Sequence, residues 1–116
     1  MAARQAVFNR TREELLSPGA EHFDTFSSRL IGLMGRADIG DGAIIEPCNS
    51  IHSCFMRVPI DVAFLDADDR VLAVYSAFPT WRFTPVVRGA RRVVELAAGR
   101  LARTVAGDQI DRRPCA

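Results

Sequence analysis

The stretch Ile60-Asp61-Val62-Ala63-Phe64-Leu65-Asp66-Ala67-Asp68-Asp69-Arg70-Val71-Leu72-Ala73-Val74-Tyr75-Ser76-Ala77 decides the fold class. Two apolar runs flank a cluster of turn-forming aspartates, which is the pattern of an antiparallel hairpin. Pro59 stands just before it. Proline has no N–H to give a ladder, so the preceding run, Ile51 to Val58, meets this hairpin at an edge, a bulge or a bend.

Outward from the hairpin, other short strands are expected. Upstream lie Ala6 to Arg10, Leu15–Leu16 before the turn pair Pro18–Gly19, and Ala43-Ile44-Ile45 after a glycine turn. Downstream lie Arg91 to Leu96 and a last strand beyond Gly107–Asp108. Phe78 to Pro85, with two prolines and Trp81, reads as an irregular loop. From about Ala20 the period changes. Phe23, Phe26, Leu30, Leu33 and Met34 recur at spacings of three and four, one face of a helix that Gly35 would stop. A second, short helix is expected within Ala98 to Val105. Tight turns rather than helices join the strands, which argues against a parallel doubly wound sheet. The expected fold is α+β: a curved, mostly antiparallel, barrel-like sheet with one main helix packed across it.

The chain has 116 residues, enough for one domain with a single core, and residues 1–116 are read as that domain. Apolar residues at 48% and charged residues at 25% are a globular balance. No apolar run approaches the length of a membrane span, and the first ten residues contain no apolar signal core, so a cytoplasmic protein without a membrane partner is expected. Three cysteines are too few and too odd in number for a disulfide scaffold, which also suits a reducing compartment. The net charge of +1 excludes a strongly polyanion-seeking protein, and nucleic acid is not the expected partner. The charge is nonetheless uneven. Residues 1–81 hold seven Arg against eleven acids, and residues 82–116 hold eight Arg against three. The ordinary reading of the Arg-rich third is a solvated face.

Chemistry concentrates in Cys48-Asn49-Ser50-Ile51-His52-Ser53-Cys54-Phe55-Met56-Arg57-Val58-Pro59-Ile60-Asp61. In a strand, His52, Cys54 and Met56 would share one face, and Ser53, Phe55 and Arg57 the other. His52 and Cys54 could hold a metal only with Cys48 folded back and a fourth ligand such as Asp61 or His22, a spacing that matches no standard zinc pattern. Cys48 or Cys54 beside His52 could form a thiolate–imidazolium pair, but no nucleophile elbow accompanies them. Burial of the cysteines and a structural Arg57–Asp61 ion pair are the plainer readings. No phosphate loop, dinucleotide fingerprint or HExxH is present. Accordingly no catalytic residue, metal or cofactor is assigned.

Ser28-Arg29-Leu30-Ile31-Gly32-Leu33-Met34-Gly35-Arg36, Cys48 to His52, and Met56 to Asp66 together resemble the signature of domain-of-unknown-function family 192, a group of small bacterial and archaeal proteins. Val94 to Gly99 and Gly107–Asp108 fit as well, and the resemblance spans roughly residues 6 to 112. It implies an α+β domain with a barrel-like sheet and no established activity. It also implies recurrent polar positions at Arg36, Asn49, His52, Arg57, Asp61 and Asp66. Cys54, Asp69 and Ala97 depart from the family pattern without touching that set. Some relatives carry export signals, and the neighbourhood of pilus-assembly genes implies an accessory interaction role in secretion for some of them.

The function expected is a non-enzymatic binding module with a groove lined by Arg36, Asn49, His52, Arg57, Asp61, Trp81 and Arg82. Its ligand would be a small anion, a carbohydrate or an extended peptide, with a protein partner also possible. The rival expectation is a small hydrolase-like or metal-dependent enzyme using His52 with Asp61 or Cys48.

Overall fold

A computed structural model describes residues 3–25 and 33–115. Seven strands follow in chain order: β1 (Ala3–Asn9), β2 (Glu14–Phe23), β3 (Ala43–Ile45), β4 (Ile60–Leu65), β5 (Val71–Phe78), β6 (Arg92–Ala97) and β7 (Ile110–Pro114). They form one sheet in the order β5-β4-β6-β3-β2-β1-β7. Every pairing is antiparallel except β2 with β3. The sheet curls until its two outer strands touch at one end. There Arg70 bridges Gln109, and Val71 exchanges backbone bonds with Asp108 and Gly107 at 2.9 and 2.8 Å. The result is a half-barrel.

Register sorts the side chains into two cores. His22, Ile44, Val94, Ala63 and Val74 align across the strands, and Phe23, Ile45, Val93 and Phe64 form the adjacent row on the opposite face. The inner core gathers Val7, Leu16, Ala20, Ile44, Ala63, Leu65, Val71, Val94, Leu96, Leu101 and Ile110, from all seven strands and the 98–103 turns. The outer core lies on β3, β4 and β6. Leu33, Ile39, Ile51 and Met56 cover it from the loops. Each strand of the centre is therefore buried on both faces, which is why β4 is apolar at five of its six positions.

Three expectations are corrected here. The main helix would begin at Ala20, but Ala20–Phe23 end β2 and Leu33–Gly35 form a turn; positions 26–32 lie outside the described residues. Among the described residues no helix occurs, and the architecture is all-strand instead of α+β. The reason is Pro18–Gly19. It reads as a turn, but β1 passes it with a register shift between Gln5↔Ala20 and Val7↔Ser17, so a bulge absorbs the pair and β2 runs on to Phe23. Second, Ala98–Val105 is a set of tight turns. Arg100, Ala102 and Thr104 each donate their N–H three residues back, to Ala97, Gly99 and Leu101. Third, Ile51–Val58 is a loop with a turn at Cys54–Phe55, and His52 alone bridges to Phe83. The alternation assigned to it fails for that reason: Ser53 and Met56 are both buried. Among the described residues no helix is long and apolar enough to cross a membrane.

Candidate functional site

Two loops over the outer core, 51–56 and 79–84, are zipped together by backbone bonds. Ser53 N donates to Arg82 O, Trp81 N to Ser53 O, and Thr84 N to Ile51 O, at 2.8 to 3.0 Å. Buried Ser53 locks the pair. Its hydroxyl donates to Pro79 O at 2.5 Å and accepts from Arg82 N at 2.9 Å. With the backbone so occupied, the large side chains turn outward. Phe55, Trp81 and Phe83 are 60%, 54% and 75% exposed. The Phe55 and Trp81 rings lie 4.7 Å apart, and His52 packs beside Phe83 at 6.1 Å. Phe55 and Trp81 both hold positive φ, at 66° and 60°, a conformation that bulky residues rarely adopt. Strain of this kind collects at functional surfaces. No acidic residue occurs from Pro47 to Ile60 or from Arg70 to Val94, so the charged residues that the two loops and their flanks contribute are arginines, among them Arg57 and Arg82.

His52, Trp81 and Arg82 of the expected groove thus meet on this face. Arg57 is exposed two residues beyond Phe55 and makes no hydrogen bond or ion pair among the described residues. Arg36 borders it: Gly35 N donates to Phe55 O at 2.8 Å, and the Arg36 guanidinium pairs with Glu21. Asn49 stands off the face. Its carbonyl accepts from Val87 N, and it lines a cleft of 180 Å³ with Pro47, Cys48, Ala90 and Arg91. Asp61 lies on the other side of the sheet. Its carboxylate accepts from Ala77 N at 2.7 Å and from Gly99 N and Leu101 N, both at 2.9 Å. That use closes the 98–101 turn over the inner core. The expected Arg57–Asp61 pair does not form, and His52 and Asp61 cannot share a pocket.

The His52 partners of an enzyme reading are also engaged elsewhere. His52 Nδ1 accepts from Cys54 N at 3.2 Å, and Cys48 Sγ donates to Ser50 O at 3.0 Å. Among the described residues no three His, Cys, Asp or Glu side chains gather as a metal site.

A second polar constellation escaped the sequence reading. Glu46 accepts from Arg92 Nε at 2.7 Å and faces His22 Nε2 at 2.5 Å, with Arg112 at 3.6 Å. Arg92 and Arg112 both reach Asp69, at 2.5 and 3.0 Å. Burial alone would raise the Glu46 pKa; the bonds from Arg92 and His22 and the charge of Arg112 overcome it and hold the carboxyl below its ordinary value. Arg92 belongs to the Arg-rich third expected to be a solvated face, yet it shares the parity of Val94 and Leu96 and points to the barrel end. That parity was the available signal. A cleft of 330 Å³ adjoins this cluster, lined by Asp24, Glu46, Pro47, Ala67, Arg91 and Arg92. Because the cluster's charges are mutually paired, it acts as a polar plug for the open end of the barrel.

Comparison with known proteins agrees on the fold and is silent on chemistry. A curated relative, a UPF0127 protein of Thermococcus sibiricus, is 33% identical over 113 residues, covering 90% of this chain and 73% of its own. A crystal structure of a protein of unknown function from Novosphingobium aromaticivorans superposes with a TM-score of 0.75 at 21% identity, covering 93% of this chain and 83% of that one. Another, from Sinorhizobium meliloti and described as a candidate transcription regulator, gives 0.79 at 19% identity, covering 97% and 94%. These likenesses establish the fold. The model of domain-of-unknown-function family 192, described as "Uncharacterized ACR", matches residues 7–111, and the chain belongs to that family.

Proposed function

We propose that this chain is a binding module without a catalytic centre, and that its zipped-loop face holds an extended acidic peptide segment of a protein partner. One observation carries the reading: Phe55, Trp81 and Phe83 are more than half exposed on loops that several backbone hydrogen bonds hold to each other. Exposed rings on a rigid frame lose little entropy on contact. Arg57 and Arg82 beside them, with no acid on either loop, favour a ligand that carries carboxylates. Rings this exposed suit a chain laid across them better than a small molecule, which needs a concave site. The Sinorhizobium meliloti structure, described as a candidate transcription regulator, raises a nucleic-acid ligand as the competing class, and the same assay separates the two.

Trp81 is the sole tryptophan, so its fluorescence reports this face directly. Titration with an acidic peptide containing proline and aromatic residues is expected to shift Trp81 emission with a micromolar Kd. Arg57→Met should weaken that binding roughly tenfold, about 1.4 kcal/mol, while leaving the melting temperature unchanged, because Arg57 anchors nothing in the fold. Emission that responds to single-stranded DNA and ignores the peptide, or an Arg57→Met chain that binds as tightly as the parent, would overturn the proposal.

A further inference from the structure

The barrel end carries two adjoining hollows, of 330 and 180 Å³, and Pro47 and Arg91 line both. Main-chain bonds fix their frame. Glu46 N donates to Phe23 O, Cys48 N to Arg91 O, Arg91 N to Leu65 O, and Val87 N to Asn49 O, at 2.8 to 3.1 Å. The charges here are of two kinds. Glu46 and Arg92 bond each other, and Arg92 also bonds Asp69, so these are already satisfied. Asp24 in the larger hollow and Arg91 between the two are exposed, and neither side chain makes a hydrogen bond or ion pair among the described residues. Asn49 in the smaller hollow is exposed as well, and its side-chain amide is likewise unengaged. Ala67 and Ala90 add small apolar walls.

We infer that the two hollows together form a site for a short zwitterionic peptide of dipeptide size. Charge placement selects that ligand. A simple anion would answer Arg91 and set the wrong sign against Asp24, and a simple cation would do the reverse. A ligand with a carboxylate at one end and an ammonium at the other answers both. The Arg91 guanidinium is a planar fork that takes a carboxylate by two bonds, with the Asn49 amide as a further donor in the smaller hollow. The Asp24 carboxylate accepts from the ammonium in the larger one. Length narrows the class. A free amino acid carries both charges on one carbon, whereas the ends of an extended dipeptide lie about 6–7 Å apart. The second arrangement suits an acid and an arginine that line one hollow without bonding each other. Because main-chain bonds hold the frame, the site is preformed and little ordering opposes binding. This inference does not depend on what the zipped-loop face holds.

Titration of the full chain with the dipeptide alanyl-leucine, followed by amide chemical shifts, should move the signals of Asn49, Ala67 and Ala90 with a Kd of about 0.1–1 mM at low salt. N-acetylation removes the ligand's ammonium and C-terminal amidation its carboxylate, and each should weaken binding roughly tenfold. The two losses should map onto separate residues. Arg91→Met should weaken the parent dipeptide as much as amidation does and leave the Kd of the amidated form unchanged; Asp24→Asn should stand in the same relation to acetylation. Both variants should melt with the parent chain, because neither side chain anchors anything among the described residues. An absence of shifts at about 10 mM dipeptide, shifts confined to the zipped-loop face, or a Kd indifferent to acetylation and amidation would each overturn the inference. So would an Arg91→Met chain that binds alanyl-leucine as tightly as the parent. None of these results bears on how Trp81 emission responds to an acidic peptide.

Discussion

Glu95 is the residue whose environment departs furthest from its chemistry. It stands in register with Ala43 and Val62 on the outer-core face of β6, is 5% exposed, and has no hydrogen bond among the described residues. Burial pushes its pKa from 4.5 up to about 7. The folded state therefore keeps a proton that the unfolded chain releases above pH 4.5, so stability falls as pH rises through that window and levels off above 7. At about 1.4 kcal/mol per pH unit the loss comes to roughly 3–4 kcal/mol. Glu95→Gln should abolish that slope and leave the variant more stable than the parent at pH 8, as chemical denaturation at several pH values would show. Unequal legibility is plain at this scale. Glu95 stands out in the sequence itself, because it interrupts the apolar Val93, Val94 and Leu96 of the expected strand Arg91 to Leu96. Asp61, by contrast, looked like half of an ion pair, because nothing in its neighbours reveals three backbone N–H groups arriving from residues 77, 99 and 101.

Among the elements, the β4–β5 hairpin was readable because two apolar runs of strand length flank one aspartate turn. The loops at 51–56 and 79–84 were not readable as a pair. Each is irregular alone, and the bonds that order them span about thirty residues, as between Ser53 and Arg82 at 2.8 Å. The expected helix failed at its start because apolar residues three apart, such as Ala20 and Phe23, satisfy a bulged strand as well as a helical face. Three of the expected groove residues did gather, since they ride on these two loops. Ser53 is the pin. Ser53→Ala strands the Arg82 N–H and the Pro79 carbonyl, a cost of about 1–3 kcal/mol. The loss should be local: Trp81 emission should move red and its quenching by iodide should rise, while exchange of the β4 and β6 amides stays slow.

For the whole molecule, stability rests on two opposed pH dependences. Glu46 in the barrel plug and Asp108, which accepts from Asn9 at 3.0 Å and Arg12 at 3.1 Å, are both held below their ordinary pKa values. For Asp108 too, burial alone would act upward, and the bonds from Asn9, Arg12 and Val105 outweigh it. Their stabilisation is complete above the unfolded values of 4.5 and 3.8 and is lost as pH falls through the lowered folded ones. With Glu95 acting in the other direction, the thermal midpoint should peak near about pH 4.5 and decline on both sides. Glu46→Gln should blunt the acid decline alone. The plug was illegible in sequence because His22, Glu46, Asp69, Arg92 and Arg112 come from widely separated segments that only a closed sheet unites.

That closure also sets a timetable. β1 is flanked on one side by β2, which follows within a few residues, and on the other by β7, whose Ile110 faces Asn9 from about a hundred positions later. A nascent chain leaving the ribosome therefore carries β1 with one bare side, and Val7 and Leu16 wait uncovered until the last strand emerges. The hundred or so residues from β1 to β7 must all be made before this sheet can close, which makes the growing chain a natural client for chaperones that shield exposed strands.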